Sequence, residues 1–298
     1  MQHLNRSFAA CLIGLTASML PWPSVSAESN ARLGTNLTEV NDYSSQVPFI
    51  DAFKQSREWY TQRDGVFDTE EAARLQLDTN GWLRTLAPTA GAAVQYTRVC
   101  TLVFSMGAVV GGPMAGKLPY PAGHWTVRFD GRGTLSYSLA GRINAAVSTV
   151  PGTEVITVTP QEPGIQICIT DIDSTDPIRN IRLYAPGMEA RAVAGEVFAS
   201  DLLARLQGFS AVRFMDWQRT NNSVQSDFSK RALPTDARYT SERGVPIEVM
   251  VDLANRLRLQ PWFNMPQPAT DAFVTAFATL VRDRLANTLP VYVEYSNE

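Results

Sequence analysis

Hydrophobic and polar positions alternate with a period of two through the middle of the chain, roughly residues 66–187, and that alternation predicts β-strands. His124-Trp125-Thr126-Val127-Arg128-Phe129 is one such run, Leu135, Tyr137 and Leu139 mark the next, and Asp130-Gly131-Arg132-Gly133 between them supplies a hairpin turn. Residues 155–159 and 165–169 predict two further strands, set apart by Pro160 and Pro163-Gly164. Short strands broken by Gly and Pro, with no helical run, predict a small β-sandwich.

After Gly187 the period changes. Residues 201–207 predict a helix ended by Gly208, and 211–217 a buried strand, followed by a polar loop over 218–243. Ile247, Met250, Val251, Ala254 and Leu257 fall on one helical face, with Pro246 in the first turn. Residues 260–265 predict a strand. Thr270 then caps a helix whose apolar face carries Phe273, Ala276, Phe277, Leu280 and Val281, and 291–296 predicts the last strand. Strands separated by single helices predict βα units and a parallel sheet. Before the sandwich, residues 32–40 predict a strand and 48–59 a helical stretch.

The N-terminus adds a compartment. Arg6 precedes an apolar run, residues 7–20, that is short for a membrane span and is broken by Pro21 and Pro23. Val25-Ser26-Ala27 then offers small residues for cleavage. Residues 1–27 therefore predict a signal peptide, and the rest a secreted protein, extracellular or periplasmic, with no membrane association after cleavage. In that setting Cys100 and Cys168 can form a disulfide; two buried thiols are the other reading. A net charge of −3 with 18% charged and 45% hydrophobic side chains gives no basic surface for nucleic acid.

Elimination narrows the chemistry. His124 is the one histidine beyond the signal segment, and it lies inside the predicted sandwich, away from any Ser or Cys nucleophile site. No phosphate loop precedes a helix, and no metal or organic cofactor is implied. Carboxylates, amides and aromatics remain, and they gather at the predicted C-terminal strand ends, where parallel α/β folds place their sites. These are Asp216, Trp217 and Asn222 after the second strand, Trp262 and Asn264 in the third, and Asn297 and Glu298 after the fourth. Aromatic faces and hydroxyl-binding amides together point to a polysaccharide or oligosaccharide.

The ending Val291-Tyr292-Val293-Glu294-Tyr295-Ser296-Asn297-Glu298 resembles the fourth strand of clan A retaining glycoside hydrolases. Residues 212–217 and 261–266 are similar to the second and third strands of a bacterial, cellulose-binding or glycoside-hydrolase-like branch that also carries an inserted sandwich. The resemblance implies an α/β fold: a partial (β/α) TIM-type barrel, residues 28–65 and 188–298, with an all-β sandwich inserted over 66–187. It implies Glu298 as catalytic proton donor, with Asn297 at a sugar hydroxyl and Asp216, Trp217, Asn222, Trp262 and Asn264 as substrate-binding residues. The nucleophile of such enzymes follows the seventh strand, whereas four strands are predicted here against the eight of a closed barrel. The expectation is thus a secreted glycoside-hydrolase-like protein, truncated and inactive in this form. A non-catalytic carbohydrate-binding protein is the alternative, and an inactive fragment a third reading. Glu294 shares strand parity with Glu298 and reads as a structural carboxylate facing Arg213.

Overall fold

A computed structural model describes residues 33–89, 91, 93–106, 118–143 and 151–297. The predicted signal peptide and Glu298 lie outside the described residues. In chain order the strands are β1 (Gly34–Asn36), β2 (Tyr60–Gln62), β3 (Gln76–Leu77), β4 (Leu83–Thr85), β5 (Arg98–Val103) and β6 (Gly123–Asp130). There follow β7 (Gly133–Leu139), β8 (Gly141–Ile143), β9 (Thr153–Val158), β10 (Ile165–Ile172) and β11 (Arg179–Tyr184). The remainder alternates: α1 (Met188–Val193), α2 (Ser200–Leu206), β12 (Ala211–Arg213), α3 (Ile247–Leu257), β13 (Gln260–Met265), α4 (Asp271–Arg284) and β14 (Tyr292–Tyr295).

Two four-stranded antiparallel sheets, ordered β2-β5-β10-β7 and β11-β6-β9-β8, share one apolar core. Val99, Leu135, Ile165, Ile167 and Ile169 enter it from the first sheet, and Trp125, Val127, Ile156, Ile181 and Leu183 from the second. Trp125 and Val127 are buried while Thr126 and Arg128 are not, as a period of two requires. The β6–β7 turn depends on Gly131: its φ is +86°, and a Cβ there would lie 2.1 Å from the Pro177 carbonyl oxygen. Strand β2 belongs to these sheets although it precedes residue 66. Cys168 faces Cys100 directly across the β5–β10 ladder, and the two are joined in a disulfide, S–S 2.05 Å with a Cα separation of 4.0 Å.

The parallel sheet has the order β1-β12-β13-β14. Its core side comes from Val212, Phe263 and Met265, packed with Met250, Leu253, Phe273, Phe277 and Val281 of the helices. Helix α3 buries Ile247, Met250, Val251 and Ala254, and α4 buries Phe273, Phe277 and Val281 at helical spacing. The Thr270 hydroxyl accepts from Phe273 N at 3.1 Å and caps α4.

The expected partial (β/α) TIM-type barrel does not form. Most of the strands lie in antiparallel sheets, and the parallel sheet is open, with β1 and β14 as its two edges. Only β12–α3–β13 and β13–α4–β14 are simple crossovers, because the antiparallel sheets and α2 intervene between β1 and β12. Two predicted elements are also shorter than expected. The second strand stops at Arg213, since Gln218 N and Thr220 N bond back to the carbonyls of Phe214 and Met215 and turn the chain. The stretch 48–59 contributes a single 3-10 turn, Ala52–Gln55, capped by Asp51. Lys54 Nζ ties that turn to the loop before α3 through the carbonyls of Asp236 (2.6 Å) and Pro234 (3.2 Å).

Candidate functional site

Successive side chains of a strand point to opposite sides of the sheet, and in-register neighbours of a parallel sheet share a side. Arg213 is in register with Trp262, Trp262 with Tyr292, and Asn264 with Glu294. One face of the sheet therefore presents Arg213, Gln260, Trp262, Asn264, Tyr292 and Glu294, while Val212 and Phe263 turn into the helix-covered core. The result is an apolar sheet side and a polar one.

Glu294 organises the polar side. Its Oε2 accepts from Arg213 Nη2 at 2.8 Å and Nε at 3.1 Å, from Asn264 Nδ2 at 2.9 Å and from Trp262 Nε1 at 3.0 Å. The hydrogen bonds from Arg213, joined by those from Asn264 and Trp262 and by the charge of Arg213, hold the Glu294 carboxyl below its ordinary range. Arg213 also lies over the Trp262 ring, 5.2 Å from its centroid, and donates from Nη2 to Asn297 Oδ1 at 2.7 Å. Asn297 Nδ2 in turn donates to Asn221 Oδ1 at 2.9 Å. At the other margin Asn36 Nδ2, ending β1, donates to Asp216 Oδ2 at 3.2 Å. Tyr292 tilts against Trp262 at 6.0 Å and donates its hydroxyl to Gln260 Oε1 at 2.9 Å.

The residues singled out from sequence separate into three groups. Asp216, Trp262 and Asn297 stand at the polar side, and Trp262 is 38% exposed. Asn264 is buried: its Nδ2 bonds Glu294 and the Ser296 carbonyl (3.0 Å), leaving its buried Oδ1 without a hydrogen-bond partner among the described residues. It positions Glu294 and is not open to a ligand. Trp217 is 0% exposed, packed against Phe49 and Phe214 in the core, so it is no sugar platform. Asn222 sits in an exposed turn at φ +55°, outside the network.

Arg213 and Glu294 pair as their strand parity suggests. Tyr292 and Asn36 join the site without having been expected there. The parity of Tyr292 with Glu294 was a legible signal; the Asn36–Asp216 contact spans 180 residues and left none. Among the described residues no group of three or more His, Cys, Asp or Glu side chains could hold a metal ion, and no helix is long and apolar enough to cross a membrane. The fold and site thus define a protein of antiparallel sheets plus one parallel sheet, in which the parallel sheet exposes an aromatic and amide-bearing face and a disulfide joins two neighbouring strands of one antiparallel sheet. No protein-family profile, curated protein or solved structure matches the chain.

Proposed function

We propose that this protein binds a neutral polysaccharide or oligosaccharide on the polar side of its parallel sheet. The observation that carries this reading is the exposed pair Trp262 and Tyr292, set among hydroxyl-binding groups of Asn36, Asn221, Asp216 and Asn297. Exposed rings offer apolar faces to sugar C–H groups, and a few placed amides and carboxylates fix orientation through the hydroxyls. The strongest charges of the face, Arg213 and Glu294, already neutralise each other, which favours an uncharged ligand. Export to an extracellular or periplasmic compartment is part of the proposal, and the Cys100–Cys168 disulfide supports it.

The test is calorimetric titration with soluble glucans and xylans. Binding that is lost in Trp262→Ala and Tyr292→Ala is the expected result; no binding to any of these polymers sinks the reading. A second reading is retaining hydrolysis in a longer form of the protein, with Glu298 as proton donor and a further carboxylate as the nucleophile. It is favoured by Asn297, whose bonds to Arg213 and Asn221 hold the residue preceding Glu298 at the site. Release of reducing ends by that longer form, abolished by Glu298→Gln, would establish it. Glu294 is unsuited to that role because its bonds keep it ionised, whereas a proton donor needs a raised pKa.

A further inference from the structure

A second site lies away from the polar sheet side. A cleft of about 370 Å³ is walled by Trp59, Leu75, Asn80, Arg238, Ser241 and Arg243 among others. Its volume suits a ligand of monosaccharide size or a little more. The unusual member is Arg238, which is only 7% exposed and has no hydrogen-bond or ion-pair partner among the described residues; its Nε and Nη2 are fully buried and unsatisfied. Buried guanidinium groups are ordinarily paired, because an isolated charge taken from water is costly. The Ser241 hydroxyl on the same wall is also buried without a hydrogen-bond partner among the described residues.

The surroundings hold Arg238 in place without satisfying it. The flanking residues are pinned, Ala237 N to the Asn80 carbonyl at 2.8 Å and Tyr239 N to the Lys54 carbonyl at 2.7 Å. The guanidinium lies over the Trp59 ring, 4.5 Å from its centroid, and Trp59 is itself fixed by its Nε1 bond to the Gly81 carbonyl at 2.9 Å. Burial pulls the guanidinium down to about 9, which leaves it charged at neutral pH. Glu58 and Asp42 act on it only at a distance, and Asp42 is bonded to Arg57. Arg243 is held by Asp236 at 3.2 Å, so the unmatched cation of the cleft is Arg238.

We propose that this cleft binds the carboxylate of a small organic molecule, with Arg238 as the anion's partner and Ser241 as a second donor. One unmatched cation suits one negative charge, and Glu58 on the same wall opposes a second, which selects a carboxylate over a phosphate dianion. A preformed, pinned guanidinium lowers the ordering cost of binding, and charge-assisted bonds to it are among the stronger polar contacts. The carboxylate could be carried by a uronic sugar or by a non-sugar acid, and these sources are separable by experiment.

The experiment titrates the whole protein by calorimetry with D-glucuronate, butyrate, D-glucose and inorganic phosphate. Each titration is repeated with Arg238→Met. Saturable binding of D-glucuronate, butyrate or both, at least tenfold weaker in Arg238→Met and absent for glucose, is the expected result. Preference for D-glucuronate identifies the source as a uronic sugar, and equal or better binding of butyrate a non-sugar acid. The proposal is overturned if neither carboxylate binds the unaltered protein at 20 mM. It is also overturned if phosphate binds more tightly than both, or if Arg238→Met binds the carboxylates equally well. The unaltered-protein arms do not depend on the variant's folding. None of these outcomes turns on the neutral glucans of the polar sheet side.

Discussion

Replacing Glu294 by Gln tests the arrangement of the polar sheet side at its centre. The amide keeps the side chain's shape and can still accept, but it removes the charge that Arg213 Nη2 and Nε bond at 2.8 and 3.1 Å. Hydrogen bonds to charged groups contribute about 1.5–3 kcal/mol against about 0.5–1.5 for neutral ones, a loss near 1 kcal/mol for each guanidinium bond. The Arg213 and Glu294 side chains are 22% and 32% exposed, so solvent screens part of this. A net cost of about 1–2 kcal/mol at neutral pH is the resulting expectation. The sign of the pH dependence follows from the lowered carboxyl pKa. A group depressed in the folded state contributes fully above its unfolded value, about 4.3 for Glu, and loses that contribution as pH falls through the folded value. Urea unfolding followed by tryptophan fluorescence should therefore show the unaltered protein more stable than Glu294→Gln at pH 7. The gap should narrow steadily once the pH drops below about 4. Arg213→Met in a double-mutant cycle should return most of the difference as coupling. Equal stability at pH 7, or a gap unchanged where Glu294 is protonated, would refute the account of this network.

The other expectations concern the framework. Removing the disulfide with paired Cys100→Ala and Cys168→Ala should cost about 4 kcal/mol, from the 68-residue separation it closes, visible as a lower urea midpoint; an unchanged midpoint refutes it. Phe263→Ala should cost about 3–5 kcal/mol, because the ring is fully buried, stacks on Phe214 at 5.5 Å and meets the edge of Phe277 at 5.2 Å. A loss below about 1 kcal/mol would mean that the sheet does not pack as described. Val293 is 63% exposed on the edge strand β14, beside an apolar groove against α4. Val293→Lys should raise the temperature at which light scattering reports aggregation, while leaving the unfolding midpoint nearly unchanged.

Helices α3 and α4 were legible in the sequence because a single periodicity decides them: Phe273, Phe277 and Val281 repeat every four residues behind the Thr270 cap. The turn between β6 and β7 was legible for a similarly local reason, Gly131, but the expected hairpin does not form: β6 pairs with β9 and β11 while β7 pairs with β10 in the other sheet. Sheet closure is different in kind. The same strand-and-helix alternation is compatible with an open sheet, and β1 and β12, three residues each, are too short for their patterns to say which neighbours they take. Trp217 follows β12 and Trp262 lies within β13, and the sequence marks both as sugar platforms, yet one is core and the other exposed. What separates them is Phe49, which covers Trp217 from 168 positions away in the chain. Arg238 was illegible on the same principle, since only its placement on Trp59 makes an ordinary loop arginine into a buried, unpartnered cation. Arg213 and Glu294 escaped this limit because parity along two strands sends both to one side.

Parallel sheets are usually covered on both faces, since βα crossovers place helices there and the strands read as apolar throughout. Strand β13 departs from that pattern: Pro261, Phe263 and Met265 are buried while Trp262 stands 38% exposed between them. An exposed parallel face would be a liability if it were apolar, but this one is built of groups that bond one another. Oε2 of Glu294 takes four donor contacts, and Arg213 links it to Asn297. Each of these side chains is oriented before any ligand arrives, so little rotamer entropy remains to be lost on binding. The same bonding removes Arg213 and Glu294 as free charges and leaves the ring surfaces of Trp262 and Tyr292 and the margin amides as the groups still able to make contacts. Under the proposed carbohydrate-binding function, a network that looks purely structural also selects the ligand: one with apolar surfaces and hydroxyls, and no strong charge of its own.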